Sequence, residues 1–323
     1  MASHSSVSSA TNKAAIQRAL QAIGSKGLKV VVVGDVLLDQ YIYCFNKKVS
    51  PEAPAPILQI TQKEFYPGGA ANTAANSATL NAEVTLFGLA GNDAACSVLT
   101  QEVNDRSVEF SPVFSEAPTT VKSRIICDGE YQFRLDDEQA LAMPIAHAEF
   151  LAKAIVSDKP DLILVSDYHK GTITGTLLDA LKQSGLPIYG DPKPEHVGFF
   201  KGTQLISPNF GEACLMSPCV DPRSCASWLA KHYQTTCVVT CGPHGAYGSE
   251  DGNQTIYAPA LNVKVDSVAG AGDTFLAAYS AAHARGCSLS DSMEFATFVS
   301  SIATSKPGTA VVTIEEIKQW LQE

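Results

Sequence analysis

The sequence predicts an α/β fold, in which a doubly wound and mostly parallel sheet carries a small β-lid. Short apolar runs rich in β-branched residues alternate with helical patterns along the chain, which is typical of buried parallel strands joined by helices. Two segments, about 41–66 and 119–136, break this alternation and are typical of antiparallel strands. We therefore assign both segments to a lid that excludes water from a bound ligand.

The chain opens with a polar, serine-rich stretch, residues 1–12, for which we expect a disordered tail. The remaining residues, 13–323, are expected to form a single domain. Apolar residues at helical spacing predict a first helix over 12–23 and a last helix from Thr313, where Glu316 completes a capping box. Buried strands are predicted over 28–33, 162–165, 187–189, 204–206 and 237–239, and helices between them over 147–157, 174–184 and 222–233.

The predicted lid has two sequence signals, a proline-rich turn at 50–56 and the hairpin turn Asp128-Gly129. Three cations of the hairpin, Lys122, Arg124 and Arg134, alternate along its strands and can share one face. They could hold a phosphate group of a substrate, or they could be solvated surface charges. The outer face of the lid predicts a homodimer surface.

Polar residues directly follow the predicted strands. In an open α/β sheet, residues beyond the carboxyl ends of parallel strands converge on one ligand crevice. Each residue could instead cap a turn or a helix. The residues in question are Asp35, Ser166 with Asp167, Asp191 with Lys193, Asn209 with Glu212, and Thr240.

Two glycine-rich stretches precede predicted helices. Gly68 and Gly69 come just before Asn72, whose amide could bind a hydroxyl group, although the same pattern could be a loop without a ligand. The stretch 269–275 places Gly270, Ala271, Gly272 and Asp273 at the start of a helix. A helix N-terminus binds anions through its unpaired N–H groups, and a carboxylate beside it is suited to remove a proton during phosphoryl transfer. The simpler interpretation is that the turn only opens a helix.

Composition excludes several classes of partner. The net charge of -10 argues against nucleic acid and anionic membranes as main partners, and no apolar run reaches the length of about 18 residues that a membrane span requires. Nine cysteines without a Cys-x-x-Cys pair predict reduced thiols in a cytoplasmic protein.

The sequence resembles the ribokinase-like, or PfkB-type, sugar kinases over about 30–314. The family's two signatures are the paired-glycine block with Asn72 and the Gly-Ala-Gly-Asp block at 270–273. Within the family it is similar to the heptose 7-phosphate kinases that form the kinase half of bacterial ADP-heptose synthase. That narrower similarity rests on the runs 34–39, 50–56, 166–171, 191–193 and 306–310.

The resemblance implies the roles of individual residues. It implies Asp273 as catalytic base and the N–H groups of Ala271, Gly272 and Asp273 as an anion hole. It implies that Lys193, Asn209, Glu212, Thr240, Gly242 and Gly245 flank ATP, with Asn209 and Glu212 near its Mg²⁺, and that Asp35, Asp39, Gly68, Gly69, Asn72, Asp167 and Lys170 lie on the sugar side. The expected reaction gives a heptose 1,7-bisphosphate, on which a separate nucleotidyltransferase would act during synthesis of lipopolysaccharide precursors.

The sequence departs from the family pattern near the catalytic loop. Ser267 stands where an aspartate is usual, with Asp266 one residue earlier, and Thr297 stands where asparagine is usual. These departures leave open a monovalent cation beside the loop. They also leave two alternatives, a kinase of another acceptor (a ketohexose phosphate, ribose or a nucleoside) and a catalytically silent regulator that binds a sugar or a nucleotide.

Overall fold

The computed structural model describes residues 12–322. The predicted tail, 1–12, lies outside the described residues except for Asn12, whose side chain caps the first helix by accepting the N–H of Ala15 at 3.2 Å. The helices are α1 Lys13–Ser25, α2 Ala70–Thr79, α3 Ala94–Asn104, α4 Ile145–Ser157, α5 Gly175–Lys182, α6 Phe210–Met216, α7 Pro222–Tyr233, α8 Ala271–His283, α9 Leu289–Thr304 and α10 Ile314–Gln322. The strands are β1 Leu28–Gly34, β2 Val36–Val49, β3 Pro56–Gly69, β4 Ala82–Gly91, β5 Val108–Ser115, β6 Thr120–Cys127, β7 Glu130–Asp137, β8 Leu162–Ser166, β9 Ile188–Asp191, β10 Leu205–Ile206, β11 Thr236–Thr240, β12 Ala246–Ser249 and β13 Ile256–Ala258.

The chain divides into two compact units. Leu28–Ala78 and Ala82–Ile188 form one, here called the lid-bearing unit, and of the described residues 12–27, 79–81 and 189–322 form the other, here called the C-terminal unit. Each unit contains parallel strands and helices.

The lid-bearing unit has a parallel sheet in the order β8-β1-β4-β5. Its centre is the β-branched run of β1, where Val31, Val32 and Val33 are fully buried. A run that is apolar on both faces can be stable only between two packed layers, which explains why it forms an inner strand. Helix α2 packs in this unit as a buried helix of small residues, from Ala70 to Ser77.

A second, separate sheet of this unit is the lid, with strand order β3-β2-β6-β7. The pairs β2–β3 and β6–β7 are antiparallel, and Asp128 and Gly129 take positive φ at the tip of the second hairpin, as the sequence predicts. The α/β class with mostly parallel strands and a small separate sheet is thus confirmed. Two details differ from the predicted lid. Its strands extend over Val36–Gly69 and Thr120–Asp137, where about 41–66 and 119–136 were predicted, and β2 pairs with β6 in parallel.

The C-terminal unit has parallel strands β9, β10 and β11, followed by antiparallel β12 and β13. Helices α8 and α9 pack against each other and are buried along most of their length. The predicted capping box of the last helix is present, because Thr313 and Glu316 exchange hydrogen bonds of 3.2 and 2.8 Å. Within the described residues, no helix has the length and apolar character that a membrane span needs.

Candidate active site

Asp35 lies in the lid-bearing unit, directly after β1, and is almost completely buried. Its carboxylate accepts three backbone N–H groups, from Tyr168 and Lys170 on one oxygen and from Thr172 on the other, at 2.8 to 2.9 Å. Burial raises the pKa of Asp35, and the three N–H donors oppose this effect. The structure therefore gives Asp35 a role that the sequence did not suggest, which is to fix the loop after β8.

Asp39 lies on β2 and is also buried. It forms an ion pair with Arg124 of β6, whose guanidinium lies 5.2 Å from the ring centre of Tyr41. Gly68 packs directly against Asp39, and a Cβ atom at Gly68 would approach the carboxylate Oδ2 to 2.5 Å. The absence of a side chain at Gly68 therefore makes the room that the Asp39 carboxylate occupies.

Gly69 and Asn72 mark the passage from β3 into α2. Gly69 has φ +57°, and the next residue, Ala70, begins the helix with its N–H donated to the carbonyl of Asp35 at 3.0 Å. Asn72 consequently lies inside the first turn of α2, two residues after the helix begins, and is fully buried. Its side-chain oxygen accepts the amide of Asn76 at 3.1 Å.

The three predicted phosphate-binding cations lie on one face of the lid, together with Asp39 and Tyr41. Each forms an ion pair with a carboxylate. Lys122 lies 3.6 Å from Asp136, and Arg134 makes two bonds of 2.6 and 2.8 Å to that same carboxylate. The sequence pattern indicates these cations but does not record their ion pairs with carboxylates, although Asp136 follows Arg134 at the same period of two residues.

Asp167 and Lys170 occupy the loop that Asp35 fixes. Asp167 is buried and accepts the N–H of His169 at 2.9 Å. The Lys170 ammonium is 2.7 Å from Glu138, a residue that the sequence analysis did not single out. A pocket in this unit is lined by Asp35, Thr120, Gln139, Lys170 and Thr172, among others. The predicted sugar-side residues Asp35 and Lys170 thus share one pocket.

In the C-terminal unit, Asn209 and Glu212 form a reciprocal capping box at the start of α6, with bonds of 3.0 and 3.1 Å. The other carboxylate oxygen of Glu212 accepts the ammonium of Lys193. The capping interpretation and the ligand interpretation of Asn209 therefore do not exclude each other. Both carboxylate oxygens of Glu212 therefore accept a hydrogen bond from the protein.

The loop after β11 begins beside that capping box, since Thr240 bridges to Asn209. Gly242 and Gly245 both have positive φ, +54° and +79°. A Cβ atom at Gly245 would meet the carbonyl oxygen of Ala258 at 2.1 Å, so only glycine fits there. Gly242 is exposed and Gly245 is buried, and together they shape a tight loop next to α6.

The Gly270–Asp273 stretch begins α8 as predicted. Gly270 is the N-cap with φ 78°, a left-handed conformation, and Ala271 is the first helical residue. The first turn presents N–H groups that an α-helix does not pair internally. Asp273 lies in this turn with 2 % of its surface exposed, and the carboxylate of Asp191 lies 3.4 Å from the position a Cβ atom would take at Gly272. Two carboxylates thus approach one helix N-terminus.

Ser267 replaces the usual aspartate by a different set of contacts. Its hydroxyl accepts the N–H of Ala269 at 3.2 Å, and the N–H groups of Asp266 and Ser267 both donate to the carbonyl of Thr304. The loop before α8 is therefore held by the end of α9. Thr297 is buried in α9, and its hydroxyl oxygen has no hydrogen-bond partner among the described residues.

The cysteine thiols and the side chains that could bind a metal ion were the remaining candidates for reactive groups. The described cysteines are all free, and burial raises the pKa of Cys241, beside Thr240, to about 11. Such a thiol stays protonated and weakly reactive. Within residues 12–322, no group of three His, Cys, Asp or Glu side chains is arranged to hold a metal ion.

Comparison with known proteins gives a consistent result. Residues 28–316 match the family described as pfkB family carbohydrate kinase. Two relatives, each named bifunctional protein HldE, from Pseudomonas syringae pv. syringae and Azotobacter vinelandii, are 33% identical over 303 and 302 residues. Each alignment covers 91% of this chain, and the chain spans 63% of the length of these relatives.

Two solved structures share the fold. Phosphofructokinase-2 from Escherichia coli in complex with potassium has a TM-score of 0.77 at 20% identity, covering 92% of this chain and 100% of that one. Arabidopsis thaliana ribokinase complexed with ribose and ATP has a TM-score of 0.70 at 19% identity, with the same coverage of both chains.

Proposed function

Because the chain belongs to the pfkB family of carbohydrate kinases, we propose that it is an ATP-dependent kinase that phosphorylates the anomeric hydroxyl of a heptose 7-phosphate. The helix start at Gly270–Asp273 is the observation on which phosphoryl transfer depends. The choice of acceptor is supported by the short runs that resemble heptose 7-phosphate kinases and by the relatives named HldE. The product would be a heptose 1,7-bisphosphate, a substrate for a separate nucleotidyltransferase in the synthesis of lipopolysaccharide precursors.

In the proposed mechanism, Asp273 is the general base. Its carboxylate takes the proton of the anomeric hydroxyl while the sugar oxygen attacks the γ-phosphorus of ATP. The N–H groups of Ala271, Gly272 and Asp273 donate to the oxygens of the transferring phosphoryl group, whose charge the positive end of the α8 dipole also stabilises. Gly270 opens the helix in a left-handed conformation, and the N–H of Ala271 donates to the carbonyl of Val268 at 3.4 Å, so this N–H exchanges a long hydrogen bond for the phosphoryl oxygen.

The residues of the C-terminal unit fit a nucleotide. Lys193 supplies a cation for the phosphates, and the loop after β11 offers the exposed backbone of Gly242, which carries no side chain. Bound Mg²⁺ would neutralise charge on the β- and γ-phosphates, with Asn209 and Glu212 as the nearby oxygen donors. A monovalent cation is a further proposal. It is supported by the potassium complex of phosphofructokinase-2, a solved structure that shares the fold.

The residues of the lid-bearing unit fit a phosphorylated sugar. Asp39 and Asn72 are buried polar side chains of this unit, and they are the proposed partners of sugar hydroxyls. The cations Lys122, Arg124, Arg134 and Lys170 belong to the same unit. A substrate that already bears a phosphate needs such fixed positive charges.

A panel of sugars and sugar phosphates, assayed with purified protein, ATP and Mg²⁺, tests the proposal. We expect turnover with heptose 7-phosphate and a loss of kcat of about 10²-fold or more in Asp273→Asn, since general-base catalysis contributes that much. Activity confined to ribose, a nucleoside or another unphosphorylated acceptor would refute the heptose assignment and leave the kinase. Equally low ATP turnover in parent and variant would favour the silent regulator.

The apolar face of the lid supports a homodimer. Ile60, Phe133 and Leu135 lie on the face opposite Asp39 and are about half exposed. A second copy of the chain would cover this face. Light scattering on Leu135→Glu should show monomers if the lid forms the dimer, and an unchanged dimer would refute it.

The free thiols support a reducing, cytoplasmic location as a proposal.

A further inference from the structure

The cations of the lid are not equally available to a ligand. Arg124 is paired with Asp39, and both side chains are largely buried, at 14% and 5% exposed. Separating a buried pair leaves an uncompensated charge, so this arginine stays where it is. Arg134 forms a two-bond contact with Asp136, and it is the most exposed of the four cations. Neither arginine is therefore positioned to receive a phosphate group without losing a strong partner.

The two lysines are held differently, because they share one carboxylate. Glu138 lies 2.7 Å from the ammonium of Lys170 and 3.7 Å from that of Lys122. Lys122 forms a second ion pair, with Asp136 at 3.6 Å. Both of its ion pairs are therefore longer than a hydrogen bond. Lys122 is thus near two anions without being bound closely by either.

The backbone around Glu138 and Lys170 is fixed on both sides. Asp35 accepts the N–H of Lys170, and Met143 donates its N–H to the carbonyl of Gly171 at 2.9 Å. Gly171 has φ +115°, and a Cβ atom there would meet the carbonyl oxygen of Leu141 at 2.1 Å. The segment at Leu141–Met143 therefore packs closely against the segment at Lys170–Gly171, and the two cannot easily separate. The side chain of Glu138 can move because it is 27% exposed. The side chains of Lys122 and Lys170 are also partly exposed.

We propose that Lys122 and Lys170 bind the phosphate group of the acceptor, and that Glu138 is an internal anion which occupies these lysines until that phosphate displaces it. This inference deepens the proposed function, because it assigns the phosphate subsite of the same substrate. Two lysines against one glutamate leave an excess of one positive charge, which a phosphate with a charge of about -1.5 to -2 uses better than a carboxylate does. Partly exposed ion pairs contribute little, so Glu138 is released at low cost.

The consequence is a specificity role for Glu138. An unphosphorylated sugar cannot displace the carboxylate, so the lysines stay paired with Glu138 and give such a sugar no extra affinity. A sugar phosphate displaces it and gains both lysines. The pocket lined by Lys170 is also lined by Asp35, Gln139 and Thr172. The proposed phosphate position therefore adjoins a cavity for the rest of the ligand.

The test uses the full chain and inorganic phosphate as the probe. Isothermal titration calorimetry at pH 8 and low salt should show that Glu138→Gln binds phosphate about three- to tenfold more tightly than the parent, while Lys170→Gln binds it about tenfold more weakly. Asp158→Asn is the matched control, because Lys29 and Asp158 form a pair of the same 2.7 Å length and similar exposure in the same unit. Its phosphate affinity should equal that of the parent.

Kinetics provide a second and independent readout. Glu138→Gln should lower the KM for a sugar phosphate by a similar factor and leave the KM for an unphosphorylated sugar within twofold. Absence of phosphate binding in both parent and Glu138→Gln, or equal affinities in the two, would overturn the inference even if the protein is an active kinase. Phosphate binding that follows the expectation in a protein without kinase activity would instead refute the proposed function and leave the anion site in place.

Discussion

Replacing Asp35 with asparagine tests whether this carboxylate fixes the loop that bears Lys170. The carboxylate is almost completely buried and accepts three backbone N–H bonds, two on one oxygen and one on the other. An asparagine keeps one accepting oxygen and turns an NH₂ group toward the remaining donor. In the better rotamer, the oxygen serves Tyr168 and Lys170, and the N–H of Thr172 is left facing a donor.

The expected magnitude follows from that count. A buried donor without a partner costs about 1–3 kcal/mol, and hydrogen bonds to a neutral oxygen are weaker than those to a carboxylate. We expect Asp35→Asn to lower the free energy of unfolding by about 2–4 kcal/mol. Because the loop with Lys170 loosens, the KM for the sugar phosphate should rise by about tenfold, while the KM for ATP stays within twofold.

Urea unfolding at pH 8 measures the first effect and steady-state kinetics measures the second. Asp93→Asn is the matched control in the same unit, since Asp93 also accepts N–H groups from two separate segments, those of Cys96 and Thr119, at 2.8 Å. It should cost stability, about 1 kcal/mol, without changing the KM for the acceptor. Asp35→Asn with parental stability, or with equal increases in both KM values, would refute the role assigned to this carboxylate.

Three further predictions concern single residues. Gly68→Ala should raise the KM for the acceptor by about tenfold and cost about 1–3 kcal/mol of stability, because the new methyl group displaces Asp39; unchanged kinetics would contradict the contact. Glu212→Gln should raise the KM for ATP severalfold at fixed Mg²⁺ and leave the KM for the acceptor unchanged, because Lys193 loses its carboxylate partner; the reverse pattern would be inconsistent with a nucleotide role. Burial lowers the pKa of His283 below its ordinary value of 6.5, so the unfolded chain takes up a proton at higher pH than the folded protein does, and the free energy of unfolding should fall as pH drops below about 6.5. His283→Gln should reduce the difference in free energy of unfolding between pH 8 and pH 5.5, measured by urea titration. An equal difference in parent and variant would argue against this role.

The sequence predicted elements whose signal is local. The run at Val31–Val33 is apolar on both faces, and the Asp128-Gly129 turn has its own hairpin chemistry, so both were found. β4 and β5 were missed because glycine, proline and polar residues interrupt their apolar pattern. α9 was missed because it is buried on nearly all sides and has no clear period. The parallel pairing of β2 with β6 joins strands about 80 residues apart, which no local pattern records.

The same distinction applies to the candidate site. Gly270–Asp273 could be predicted because the turn and the helix start are consecutive in sequence, and the structure shows both. The ion pairs could not, because Glu138 meets Lys170 across 32 residues and Arg124 meets Asp39 across 85. Counting cations alone therefore overestimated the free positive charge of the lid. What decides which of them can bind phosphate is the carboxylate that each one already contacts.

The distribution of site residues between the two units has a consequence for kinetics. The proposed acceptor residues, such as Asp39 and Lys170, belong to the lid-bearing unit, and the proposed ATP residues, such as Lys193 and Glu212, belong to the C-terminal unit. Hydrogen bonds within one unit mainly position side chains of that unit, so substitutions of supporting residues should separate into two kinetic classes. Supports such as Asp35 should change the KM for the acceptor, and supports such as Ser267 should change ATP affinity or kcat. A supporting residue whose loss changes both KM values equally would show that the ligands depend on shared structure, and the assignment of one ligand to each unit would then be wrong.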